Sequence, residues 1–354
     1  MPLLQNMQRL LVNNRKTRAA LLGAVVSLCF ISLLLKRVNL GEAWETLRRI
    51  DARLLLLPAA MGFLNYPLRA LRWQLMFPRG ARPDYGLTFR SFAIGTGTNN
   101  LVPGRAGDVA RCMLIARDTS LTGSSLALGT LAMEKVLDGL ALMAIVILAC
   151  IFISPPGWLT KLIFAGVVVF GAALAVVFAL RYRAHWFIGR VAEVLTTLRL
   201  HAMARKVPDL FASFAEGLSA ISSLTLILWL AAITAVIWLT EAGLVWAIAK
   251  PLRLPLSMAD SVVVAAVLGL GLMVPAGPAS IGTYEFCVVA AMGLAGIASG
   301  SALAYAVLLH SWVFVATSFV GLACLAWAGL TLKQLTREEE AWVVRGAGAA
   351  DERS

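Results

Sequence analysis

The chain has 354 residues, 60% of them hydrophobic and only 14% charged, with a net charge of +12. A mean hydropathy of +0.82 excludes a soluble globular domain, and long unbroken apolar runs exclude a β-barrel, whose strands alternate. No basic block is interleaved with aromatic residues, so the surplus of Lys and Arg is read as orienting loops against an anionic leaflet, not as a nucleic-acid surface.

Residues 1–18 form a basic head with Arg9, Arg15, Lys16 and Arg18, expected in the cytoplasm. A first span follows at 19–35. No small-residue cleavage site succeeds it, so a retained helix is expected in place of a signal peptide. Residues 38–52 are amphipathic, with Leu40, Trp44 and Leu47 on one face, and predict a short helix on the outer surface. Residues 53–77 form the second span. It ends with Arg69 and Arg72, three apart on one face, where heads that snorkel to the cytoplasmic interface compete with a headgroup role. Arg79, Arg82 and Arg90 follow on the cytoplasmic side.

Residues 95–111, GTGTNNLVPGRAGDVAR, interrupt the next apolar segment at 86–118. Gly95, Gly97, Gly104 and Gly107 loosen the backbone. Pro103 lacks an N–H and disfavours helix at Val102, and Asn99 and Asn100 compete for backbone hydrogen bonds. Neither arm around Pro103 supplies the about 20 apolar residues that a crossing needs, so a re-entrant hairpin from the cytoplasm is predicted. Residues 124–153 form a long span. Pro155, Pro156 and Gly157 turn outside, and residues 158–180 return. Residues 181–206, with Arg181, Arg183, Arg190, Arg199, Arg205 and Lys206, carry the strongest cytoplasmic signal. After an amphipathic lead-in at 207–221, residues 222–249 cross outward and carry Glu241, for which snorkelling and function stand open. Residues 256–297 hold a second broken stretch, 269–285 (GLGLMVPAGPASIGTYE), entered from outside. Residues 301–331 cross back, and 333–354 form a polar cytoplasmic tail.

The reading is an all-α integral membrane protein: a polytopic helical bundle over residues 19–332. Residues 53–153 and 222–331 each run span, broken hairpin, span, from opposite sides. Inverted repeats with broken helices at matching positions point to a transporter-like site between the halves.

Irregular backbone and charge at membrane depth survive only inside protein or around water, so the broken stretches are the candidate site. Arg105 and Arg111 flank a glycine turn, and arginine presents a planar fork of donors that fits phosphate. A structural ion pair to Asp108, Glu134 or Glu285 is the alternative. Glu134 and Asp138 are four apart on one helix face with Lys135 beside them, Glu134 lying roughly 15 Å beyond Ser124. They are either counter-ions for the arginines or a static lock. In the second stretch a helix beginning near Ile281 offers its N-terminus to an anion, with Ser280 as a ligand or merely an N-cap. Glu285, about one turn in, is expected to partner an arginine of the first hairpin. Pro103, Gly104, Gly107, Pro275, Gly277, Pro278 and Gly282 are the hinge and turn positions. Trp73, Trp158, Trp186 and Trp327, near span ends, read as interface anchors. The five cysteines show no C-x-x-C and the histidines no ligand spacing, so no disulfide, metal or cofactor is expected.

Four motifs in this order and spacing resemble the transmembrane, flippase-like region of bacterial lysylphosphatidylglycerol synthases and of stand-alone membrane proteins built on it. They are Arg69 with Arg72-Trp73; Pro103-x-Arg105-x-Gly107-Asp108-x-x-Arg111; Glu134-Lys135-x-x-Asp138; and Pro275-x-x-Pro278-Ala279-Ser280-x-Gly282-x-x-Glu285. The resemblance covers most of residues 15–332. The family more often has Glu at the Asp108 position, usually Gly-Gly where this chain has Ala279-Ser280, and often Arg where it has His310, which makes one charge here pH-dependent. No aminoacyl-transferase domain follows residue 332, so aminoacylation is not carried over and no enzymatic activity is expected. The resemblance implies a multi-pass protein of the bacterial inner membrane, both termini cytoplasmic, that moves an anionic phospholipid or polyprenoid lipid with its headgroup held between the two hairpins. A membrane-embedded lipid-modifying transferase, and a non-catalytic partner subunit of a lipid-synthesis enzyme, are the competing readings.

Overall fold

The computed structural model describes residues 24–36, 38–102, 106–119, 124–151, 155–198, 200, 203, 208, 211, 215, 223–274 and 278–338. The basic head, most of the 207–221 lead-in, the tail beyond 338, and Pro103, Gly104, Arg105, Pro275 and Gly277 lie outside them.

Among the described residues the regular structure is helical. In chain order it comprises α1 (Ala24–Leu35), α2 (Leu40–Arg48), α3 (Leu56–Leu75), α4 (Tyr85–Leu101), α5 (Ala106–Asp118), α6 (Ser124–Ala149), α7 (Gly157–Thr197), α8 (Leu224–Ala249), α9 (Met258–Gly271), α10 (Thr283–Leu294), α11 (Ser299–Trp327) and α12 (332–338). The starts are written locally. Asn39, Asp84 and Ser223 each cap the helix that follows by accepting a backbone N–H, and Ser257 with Asp260 closes a capping box on α9.

Four described helices are long and apolar enough to cross a membrane: α3 with its lead-in from Arg53, α7, α8 and α11. The pair α1–α2, bent by 89°, makes a fifth if taken as one span. Glu134, Lys135 and Asp138 sit mid-way along α6, whose 26 residues extend about 39 Å. In α7 the helical geometry breaks at Arg183 (φ −142°, ψ 43°), where the sequence passes from apolar to basic. Its apolar part exposes Phe164 (72%) and Val168 (55%), surface that only hydrocarbon surroundings make favourable. The chain is thus a multi-pass membrane protein.

Among the described residues, the two larger of three hydrophobic cores form at opposite ends of the bundle. One gathers around α4 and α5, with Trp73 of α3, Phe77 just beyond it, Leu126 and Met133 of α6, Leu230 of α8 and Leu325 of α11. The other gathers around α9 and α10, with Leu142 and Val146 of α6, Leu244 and Ile248 of α8 and Tyr305 and Leu309 of α11. It follows that α6 and α8 run from the first core to the second, and α11 runs the other way. Packing pairs correspond: α3 lies on α8, α4 on α11 as α9 on α6, α4 against α5 as α9 against α10, and α5 on α6 as α10 on α11. The short 3₁₀ turn Pro278–Ser280 that precedes α10 touches α4.

The expectation that Gly95, Gly97, Asn99 and Asn100 loosen the helix is corrected. α4 continues as regular helix through Gly95, Gly97, Asn99 and Asn100 to Leu101, and departs only at Val102 (φ −118°, ψ 127°), the residue held extended by the following proline. The glycines serve close approach instead. A Cβ on Gly95 would stand 2.6 Å from the Gly107 carbonyl oxygen, and one on Gly97 would stand 2.8 Å from the Gly321 Cα, so α4 meets α5 and α11 backbone to backbone. α4 and α5, at about 25 and 20 Å, are shorter than the roughly 30 Å hydrocarbon core. α9 and α10 are about as short.

α2 buries Ala43 and packs on α11, while Leu40 and Trp44 stay exposed. Its Glu42 accepts from the Ser301 N–H (3.1 Å) and hydroxyl (2.8 Å), satisfying a free donor at the start of α11.

Candidate functional site

The segments of α3, α6 and α8 that lie between the two cores carry the ionised residues. On α3, Asn65, Arg69 and Arg72 recur at helical spacing and face inward. The Arg72 guanidinium donates to both oxygens of Asp138 (2.6 and 2.9 Å) and to the Thr234 hydroxyl (3.1 Å), and the residue is fully buried. One turn earlier, Arg69 donates through Nε to Asn65 (3.1 Å) and faces Glu241 at 3.5 Å and Asp138 at 4.0 Å. Asn65 in turn donates to Glu241 at 2.5 Å. The snorkelling expected of Arg69 and Arg72 is corrected, because carboxylates from α6 and α8 wait inside the bundle. Glu241 is likewise an inward residue.

A second cluster joins α5 to α6. Arg111 is 2% exposed and donates to both oxygens of Glu134 (2.9 and 3.2 Å). Its guanidinium lies over the rings of Trp73 (4.7 Å) and Phe92 (5.2 Å). Asp108 accepts from Asn99 (3.2 Å) and stands 3.6 Å from Arg111 and from Lys135. Trp73 is fully buried and donates to the Thr130 hydroxyl (3.1 Å), so it props Arg111 and is not an interface anchor. Trp158, Trp186 and Trp327 are exposed.

The third cluster belongs to the second hairpin. Gly282 (φ 86°), not Ser280, occupies the N-cap of α10, and Glu285 accepts its N–H at 2.7 Å. The other carboxylate oxygen lies 2.6 Å from His310 Nδ1, and His310 stacks on Tyr284 at 4.2 Å. Among the described residues the side-chain partner of Glu285 is thus His310, and the expected first-hairpin arginine is not Arg111. Arg111 is committed to Glu134, Arg105 is outside the described residues, and Glu285 bonds the histidine that stands where the resemblance leads one to look for arginine. Ala279 (φ 53°) and Ser280 (φ 58°) both adopt the left-handed conformation that glycine holds without strain, so the departure from Gly-Gly is costly here. Gly107 sits in the first turn of α5 and Pro278 opens the 3₁₀ turn.

These clusters surround a cavity of about 230 Å³, lined by Arg69, Lys135, Asp138, Glu241, Trp238 and Tyr284 with apolar residues of α9. It draws walls from α3, α6, α8, α9, α10 and α11. Among the described residues, four cations around it (Arg69, Arg72, Arg111, Lys135) meet four carboxylates (Asp108, Glu134, Asp138, Glu241). The cations differ in what they hold in reserve. Arg72 and Arg111 spend their terminal nitrogens on bidentate pairs. Arg69 and Lys135 make carboxylate contacts no closer than 3.5 and 3.6 Å, beyond ordinary hydrogen-bond length, and both line the cavity.

Asn65, Thr234, Trp238, Glu241 and Asn99 are the parts that sequence reasoning passes over or leaves open. The i, i+4, i+7 spacing of Asn65, Arg69 and Arg72 on an apolar helix is the available signal. No curated protein sequence and no solved structure gives a significant match to this chain. The family model described as the lysylphosphatidylglycerol synthase TM region matches residues 20–321. With that match spanning most of its length, the chain belongs to the lysylphosphatidylglycerol synthase transmembrane-region family.

Proposed function

We propose that the protein is a lipid translocase, which carries an anionic phospholipid or polyprenoid lipid across the membrane with its headgroup in the central cavity. One observation carries the reading: among the described cations of the ionic network, Arg69 and Lys135 alone combine cavity exposure with donors not held at close range by a carboxylate. A phosphate entering there gains two cations without leaving a buried carboxylate unpartnered. Arg72, Arg111 and their carboxylates act as struts that fix the cavity walls.

We read the units α3–α6 and α8–α11 as an inverted repeat. The matched packing pairs, and the placement of the two hairpins in cores at opposite ends, support that reading. The four short arms, α4, α5, α9 and α10, are read as two re-entrant hairpins. The end that holds Arg79, Arg82, Arg90 and the basic part of α7 is assigned to the cytoplasm by its charge.

Purified protein reconstituted in vesicles with a panel of headgroup-labelled lipids tests the proposal. Movement of an intact anionic lipid between leaflets, without chemical conversion, is expected. Conversion of the lipid points to the transferase reading, and absence of movement for every anionic lipid in the panel rejects translocation.

A further inference from the structure

The second hairpin is fastened by one carboxylate that bonds in two directions. One Glu285 oxygen accepts the Gly282 N–H (2.7 Å) at the start of α10, and the other lies 2.6 Å from Nδ1 of His310 on α11. The turn on the near side is strained. Ala279 (φ 53°) and Ser280 (φ 58°) hold left-handed backbone, and a Cβ on Gly282 would stand 2.7 Å from the Ser27 carbonyl oxygen of α1. Such a conformation persists only while its surroundings hold it. On the far side the imidazole stacks on Tyr284, which lines the central cavity, so the pair stands one ring behind that cavity.

The charge balance of the pair depends on a proton. The two side chains are 12% and 13% exposed, shielded enough for a charge to matter and open enough for a proton to leave. Among the described residues the other titratable groups around them are Tyr284 and Cys287 of α10, Tyr305 of α11 and Glu241 of α8, none of them a cation. α9 meets Cys287 through Gly271, and α1 meets Gly282 through Ser27 and Ile31. Arg69 of α3 is turned to Glu241 and Asp138, Arg90 of α4 to Asp118, and Glu42 of α2 to Ser301. The described counter-charge of Glu285 is therefore His310, and imidazole is a cation only with both nitrogens protonated. When the imidazolium gives its Nε2 proton to water, the electron pair stays on nitrogen. The bond to Glu285 then loses its charge assistance, and the carboxylate is left as a buried, uncompensated charge. Arginine, which the resemblance leads one to look for at this position, keeps its proton and cannot make that change.

We propose that Glu285 and His310 form a proton-binding site that latches the second hairpin to α11, and that loss of the proton loosens the start of α10 beside the cavity. The latch is closed at low pH and released as the pH rises through the imidazole titration. The site stands on its own geometry. Joined to the translocase reading, it names the proton as the ion coupled to lipid movement.

Hydrogen–deuterium exchange of the detergent-solubilised protein, read by mass spectrometry from about pH 5 to about pH 9 and corrected for the intrinsic rate at each pH, tests the site. Wild-type protection over residues 283–294 is expected to fall about tenfold across that range, a typical coupling between two sites, while residues 85–101 of α4 stay level. His310→Arg should keep the low-pH protection of the wild type throughout. Glu285→Gln, which removes the charge that needs compensation, should lose the step as well. Level protection in the wild type, an equal step in α4, or a wild-type step surviving in either variant overturns the proposal. In vesicles, wild-type lipid movement should follow an imposed pH gradient and movement by His310→Arg should ignore it; equal gradient dependence in both overturns the coupling. If no lipid moves at any pH while the exchange step persists, the translocase reading fails and the proton site stands. Movement without the step leaves the translocase and removes the site.

Discussion

Replacing Asp138 by asparagine isolates the contribution of the ionic struts. Arg72 is fully buried, and its three hydrogen bonds run to the two Asp138 oxygens at 2.6 and 2.9 Å and to Thr234 at 3.1 Å. Its Nε has no other partner among the described residues. The amide of the Asp138→Asn variant keeps the shape, yet leaves a guanidinium in a dry interior with no counter-charge on that side, a change that costs about 3–5 kcal/mol. Thr234→Val removes one neutral acceptor from a guanidinium that stays paired, and costs about 1 kcal/mol. The paired replacement Arg72→Met with Asp138→Leu removes both charges together and should recover most of the loss. Unfolding free energies in mixed detergent, from titration with denaturing detergent, read all three. A loss below about 1 kcal/mol for Asp138→Asn, or a double variant as weak as the single one, would refute the view that Arg72 is held by burial and pairing.

Gly107→Ala should prevent close packing of α4 on α5 and abolish stable folding, because the new methyl collides with the Gly95 carbonyl; Gly171→Ala, which meets nothing, is the neutral control in the same detergent-stability assay. Ala279→Gly should stabilise the second hairpin by about 1 kcal/mol by relieving a left-handed conformation at φ 53°, and unchanged stability would count against strain there. His310→Ala leaves Glu285 with the Gly282 N–H as its remaining described partner and strips a stacking ring from Tyr284. A loss of about 1–3 kcal/mol is expected, readable by the same titration.

The fold class and most spans were legible because lipid imposes a simple rule: long apolar runs become helices, and basic loops mark one side. Even the break near residue 181 could be read, since apolar sequence turns basic where α7 loses helical geometry at Arg183. The glycine-rich stretch misled for a physical reason. Glycine weakens a helix in isolation, yet Gly95, Gly97 and Gly107 are placed where packed backbones leave no room for a side chain, and packing outweighs propensity. Charge pairing was legible in kind but not in detail. The motifs named Arg72, Arg111, Glu134 and Asp138, but which arginine meets which acid depends on contacts 66 and 23 residues apart. Trp73 and the arginines of α3 were read by their distance from a span end, a cue that cannot distinguish a snorkelling residue from one facing a partner helix.

The central claim is that the cavity between the two units handles the headgroup through Arg69 and Lys135. Its most direct test is the rate of anionic-lipid movement in vesicles, matched for folded protein, for the wild type, Arg69→Gln, Lys135→Gln and the double variant. Both residues are only loosely paired, so folding should survive, and transport should fall at least tenfold in each single variant and further in the double. Wild-type rates in the double variant would contradict the account and place the headgroup elsewhere.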